Sequence, residues 1–127
     1  MALPMQTLLD TARIFLRTAK EEMERGFTSN DWVPIRDGAE KAWNAVLQAT
    51  DHAMSAHGQT PLPGRDAHRD RIDFLDAVGR HDLAQRYTYL AERLHGNLFY
   101  GGVSLPPDLI RRLFDEAADF IDQCATL

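Results

Sequence analysis

The sequence predicts an all-α fold: an antiparallel bundle of four longer helices plus one short helix, with residues 1–127 forming a single helical-bundle domain. Three observations carry this expectation. Apolar residues recur at three- and four-residue steps along almost the whole chain, the period of a helix with one buried face. No segment shows the apolar–polar alternation of a half-buried strand. Glycines and prolines cluster between the periodic segments, at intervals that suit helix-to-helix connections.

Each element has its own signals. Pro4 suits a first helical turn. Leu8, Ala12, Phe15, Ala19 and Met23 follow as an apolar row widened by Leu9 and Leu16, against a wet stripe of Asp10, Arg13, Arg17, Lys20 and Glu24. Gly26 is the expected stop. Ser29, Asn30 and Asp31 offer caps for a second helix, and Pro34 is tolerable in its first turn. Ile35, Ala39, Ala42, Val46, Ala49 and Ala53 make one row there, and Trp43, Leu47 and Met54 an adjacent one. So wide an apolar arc expects several neighbours. The alanines, with Gly38, expect them to come close. Gly58 to Arg65 holds two prolines and two glycines and reads as a loop. Asp66 opens a short helix through Ile72, Leu75 and Val78 that ends at Gly79. A fourth starts near Asp82 and buries Leu83, Tyr87, Leu90, Ala91, Leu94 and Leu98. After Gly101, Gly102 and Pro106-Pro107, the last helix sets Ile110, Leu113, Phe114, Ala117, Phe120, Ile121 and Cys124 against Asp108, Arg112, Asp115, Asp119 and Asp122.

Composition narrows the function classes. Hydrophobic content of 44% and charged content of 26% are those of a globular chain. One cysteine excludes an internal disulfide, which fits a cytoplasmic, reducing compartment. No apolar run reaches the length of a membrane span, and no membrane association is expected. The formal charge of −5 argues against DNA binding by a basic patch. Residues 65–98 carry six basic and six acidic residues, while the flanking segments are net acidic. An anion-binding role therefore falls most easily on that central stretch, which also holds His68, His81 and His95.

Residues 92–102, Glu-Arg-Leu-His-Gly-Asn-Leu-Phe-Tyr-Gly-Gly, end a helix with more polar chemistry than a helix end requires. Each α-helical residue turns about 100°. On a straight helix that places Arg86, Arg93, Asn97 and Tyr100 on one flank of the apolar face and His95 on the other, beside Ala84, Thr88 and Ala91. The first flank offers guanidiniums, an amide and a phenol to a phosphate or carboxylate. The competing expectation is that the arginines pair with acids on a neighbouring helix. His95 on the second flank is expected half-buried on a backbone carbonyl, since no general-base partner is evident. Glu92 and His95 have the Glu-x-x-His spacing of di-iron bundles, but no second such pair exists, with Glu22 and Glu40 isolated. Cys124 reads as a small core residue. There is no phosphate loop or nucleophile elbow, and no cofactor or metal is expected.

Three segments in order, Ala39-Glu40-Lys41-Ala42-Trp43-Asn44-Ala45, His68-Arg69-Asp70 and Leu94-His95-Gly96-Asn97-Leu98-Phe99-Tyr100, resemble the HEPN superfamily of nucleotide-binding helical domains. The similarity is to its small stand-alone prokaryotic branch, which includes archaeal paralogous repetitive-element proteins. The resemblance implies a HEPN-like bundle, a homodimer, and a link to a nucleotide, to RNA or to a minimal nucleotidyltransferase partner. Lys41, Trp43, His68, His95, Asn97 and Tyr100 are the positions that match the signature. HEPN ribonucleases use an Arg followed by a His after four to six residues, and none of the five histidines here has an Arg so placed. The expectation is therefore a non-catalytic binding module, with Arg86, Arg93, His95, Asn97, Tyr100, His68 and Lys41 as ligand-binding candidates. The alternatives are a metal-dependent or divergent ribonuclease, and a purely structural dimer for which Phe27, Trp32 and Trp43 are left to a partner surface.

Overall fold

The computed structural model describes residues 6–61, 64 and 66–127. Pro4, and Leu62, Pro63 and Arg65 of the expected loop, lie outside the described residues. The described chain is all-helical: α1 (Gln6–Ser29), α2 (Trp32–Ala56), α3 (Asp66–Ala77), α4 (His81–Leu90), a π-helical segment (Ala91–Tyr100) that continues α4, and α5 (Pro107–Ala125).

The helix stops follow backbone chemistry. Gly26 does not end α1, which runs on to Ser29. Asn30 ends it in the left-handed conformation (φ 52°), with Asn30 N–H on the Phe27 carbonyl and Asp31 N–H on the Gly26 carbonyl. That pairing is a Schellman motif, and Asn is the residue after Gly that best tolerates it. Gly26 instead answers to packing: a Cβ there would sit 2.6 Å from Ile35 Cγ1. Asp31 caps α2 by accepting from Val33 N–H at 3.0 Å. Gly79, at φ 81°, closes α3 with the same double carbonyl pattern.

α2 lies at the centre of the packing and touches α1, α3, α5 and the π segment. Its alanines and Gly38 allow this. A Cβ on Gly38 would lie 2.8 Å from the Ala19 carbonyl oxygen of α1, so the two backbones meet where only hydrogen fits. One cluster, from Leu9 and Leu16 through Trp43, Tyr87, Leu94 and Phe114 to Cys124, forms the core. Trp43 is 2% exposed and belongs to that core, not to a partner surface. Phe27 and Trp32 are half-buried and pack against the cluster. On α1 the deepest leucines are Leu9 and Leu16, while Leu8 and Phe15 sit at the margin.

The π segment is the main departure from the expected straight helix. Its hydrogen bonds span five residues, as in Gly101 N–H to the Gly96 carbonyl at 2.8 Å. Gly96 does not break the helix; it lies inside the widened turns. Gly101 closes them, because a Cβ at that position would stand 2.9 Å from the Gly96 oxygen.

Candidate imidazole site around Trp43

The site forms where α2, α3, α4 and the π segment converge on the indole of Trp43. The His68 ring lies 5.9 Å from it, the His95 ring 6.3 Å and the Tyr87 ring 5.1 Å. Trp43 thus contacts two imidazoles whose residues stand 27 positions apart in sequence.

His95 reaches this position from the π segment. Its Nδ1 donates to the Glu40 carboxylate, 2.9 and 3.0 Å from the two oxygens. Glu40 stands one turn before Trp43 on α2, so one helix supplies both the acid and the indole. The partner is therefore a carboxylate, not the backbone carbonyl the sequence suggested. The wider turns also bring Tyr100 to His95, edge to face at 4.7 Å between ring centres. On an α-helix, residues five apart are rotated by about 140° and do not meet. Tyr100 consequently leaves the Arg93 flank and joins His95, and Phe99 stacks on the same ring at 6.2 Å.

His68 is held from below. Its Nδ1 is 2.7 Å from the Tyr87 hydroxyl. Arg71 donates to that same oxygen at 3.4 Å and forms a two-pronged ion pair with Asp51, at 2.8 and 3.3 Å. Burial pushes the Tyr87 phenol up to about 12, so it stays protonated at neutral pH. Burial also lowers His68, and the charges of Arg71 and His95 lower it further. His68 is thus held in its neutral form, and His95 is near enough to act on it.

The other candidates are occupied elsewhere. Lys41 binds Glu22, whose second carboxylate oxygen is buried without a partner. Arg86 binds Asp119 at 2.8 Å and the Glu116 carbonyl at 3.3 Å, both on α5. Arg93 lies over the Tyr89 ring and donates to Asn97 at 3.4 Å, while its Nε is buried unpaired. Of the seven predicted ligand-binding residues, the structure gathers His68, His95 and Tyr100. Arg93 and Asn97 form a separate pair. Lys41 and Arg86 are each held in an ion pair. Among the described residues no three His, Cys, Asp or Glu side chains gather as a metal site would require. Burial pushes the Cys124 thiol up to about 12, which fits a core side chain.

Glu40, Tyr87, Arg71 and Asp51 were not singled out by the sequence reading as site residues. One of them was detectable. Tyr87 occupies the buried row of α4, and a buried phenol requires a hydrogen-bond partner. Arg71 lies on the buried row 71, 74, 75 of α3, whereas the expected row was Ile72, Leu75 and Val78, of which Ile72 and Val78 are only partly buried, so the need of this guanidinium for an acid was hidden. No protein-family model matches the chain, and no curated protein matches it.

Proposed function

We propose that this protein is a HEPN-like helical module that binds a nucleotide, alone or within RNA, at the imidazole pair around Trp43. The observation that carries the reading is that His68 and His95 flank one indole, each fixed by its own polar partner, with an exposed phenol beside them. Tyr100 is 69% exposed and offers a stacking face to a base. Three nearby cations are committed to other groups: Arg71 to Asp51, Lys41 to Glu22 and Arg36 to the Phe99 carbonyl. Recognition therefore rests on imidazole hydrogen bonds and ring stacking more than on phosphate charge. Isothermal titration with the four ribonucleoside monophosphates and a short RNA tests this. Binding by the wild type that is lost in both His68→Ala and His95→Ala supports the site. Unchanged binding in both variants rejects it.

The module is proposed to act as a homodimer, and a minimal nucleotidyltransferase is the partner that the HEPN resemblance suggests. Support for the dimer comes from exposed apolar side chains at one end of the molecule. Val33 is 60% exposed and sits one turn before Arg36, whose guanidinium joins Phe99; Tyr100 and Val103 follow directly. Light scattering checks this, and a strictly monomeric protein contradicts it.

A second reading, a divergent ribonuclease, is favoured by one specific observation. A carboxylate-bound His95 and a neutral His68 are the kinds of groups that move protons in phosphodiester cleavage. Cleavage of a labelled RNA that disappears in both histidine variants would support it.

A further inference from the structure

The hydrogen bonds fix which nitrogen of each imidazole carries its proton. Tyr87 is 1% exposed, and its oxygen already accepts from Arg71, which has only donors to offer. Among the described residues, the one acceptor within reach of the Tyr87 hydroxyl proton is His68 Nδ1, at 2.7 Å. The opposite arrangement, with the proton on His68 Nδ1, leaves a buried phenol proton without an acceptor, which is the costly case. Tyr87 therefore donates, His68 Nδ1 accepts, and the ring proton of neutral His68 sits on Nε2. At His95 the logic reverses. An ionised carboxylate only accepts, so Glu40 requires a proton on His95 Nδ1, and in the neutral ring it is Nε2 that keeps the lone pair.

From this bookkeeping we infer that His68 and His95 form a complementary pair, His68 presenting an Nε2–H donor and His95 an Nε2 acceptor, with Tyr87, Arg71 and Glu40 as the positioning residues that set the two tautomers. The Asp51 carboxylate belongs to the same chain, because it orients the Arg71 guanidinium that occupies the Tyr87 oxygen. In each ring Nε2 lies away from the partner on Nδ1, and no other described residue bonds to it. The inference deepens the nucleotide-binding reading and rests on it for its ligand. The pair suits a group that carries an acceptor and a donor together, as the edge of a nucleobase does. An acceptor-only anion satisfies His68 alone. This also gives the two proteinaceous arms different tasks: the Asp51–Arg71–Tyr87 arm makes a donor, and the Glu40 arm makes an acceptor.

The test is long-range proton–nitrogen NMR of the imidazoles in the full-length, ligand-free protein at pH 7.5. The expected spectrum has His68 protonated on Nε2 and bare on Nδ1, and His95 protonated on Nδ1 and bare on Nε2. Tyr87→Phe then shifts His68 toward a mixture of tautomers and leaves the His95 nitrogens unmoved. Glu40→Gln moves the His95 nitrogens and leaves His68 as it was. A wild-type His68 protonated on Nδ1, or a His95 carrying both protons at this pH, overturns the pairing even if neither variant folds. So does a folded Tyr87→Phe in which His68 keeps its tautomer. No ligand is present in this experiment. A wrong tautomer therefore rejects the pairing without deciding nucleotide binding, and absent nucleotide binding leaves the tautomers standing.

Discussion

At the scale of single residues, Tyr87 joins the two halves of one arm of the site, because its oxygen meets both Arg71 and His68. Tyr87→Phe keeps the ring that packs on Trp43 and removes only that oxygen. It is expected to cost about 1–3 kcal/mol in chemical denaturation, the usual loss for stranding a buried partner. Asp51→Ala should cost more, about 3 kcal/mol, since it leaves the Arg71 guanidinium largely buried and unpaired. His68 makes a pH prediction with a definite sign. Its folded form is held below the ordinary value of 6.5 by burial first and by Arg71 and His95 after it. Above that pH both folded and unfolded chains keep it neutral, and it contributes no pH dependence. As pH falls through about 6.5 the unfolded chain takes up the proton first, so stability drops toward acid. Thermal melts between pH 7.5 and 5 should show that loss in the wild type and a smaller one in His68→Gln. Equal losses in both would remove His68 from the account.

Among the helical elements, the α1–α2 hairpin and the π segment carry different kinds of constraint. The hairpin depends on close backbone approach. Gly38→Ala drives a Cβ to 2.8 Å from the Ala19 oxygen, and overpacking of this kind should lower stability by about 1–3 kcal/mol in a denaturant titration. The π segment depends on ring contacts and on Gly101. Gly101→Ala meets the Gly96 carbonyl and is expected to loosen the end of the segment, with faster amide exchange from Asn97 to Val103. The two elements also differed in how much the sequence disclosed. Rows such as Ala39, Ala42, Val46, Ala49 and Ala53 announce a buried helix through spacing alone, and all five are buried. The π segment is invisible to that logic, because its sequence still satisfies a 3.6-residue period. A straight helix put Tyr100 with Arg93, whereas five-residue hydrogen bonding puts it with His95. Glu40 was equally hidden, since a carboxylate on a half-wet flank reads as solvated until the helix opposite is known. Tyr87 was different: its phenol sat on the predicted core row and so required a partner from the start, whereas Arg71 lay off the predicted row of Ile72, Leu75 and Val78.

Over the whole molecule, the bundle brings α2, α3 and the π segment to one indole, with the His68 and His95 rings 5.9 and 6.3 Å from it. Of the other histidines, His57 packs on Phe74 and His81 pairs with Asp76. This arrangement gives the most direct measurement available. Ring proton–carbon NMR can follow all five histidines while AMP, GMP, CMP or UMP is added to the full-length protein. The account predicts that the His68 and His95 signals move together and saturate, with Tyr100 following them, while those of His52, His57 and His81 stay in place. Static His68 and His95 signals with every nucleotide, or a response centred on the other three rings, would contradict it.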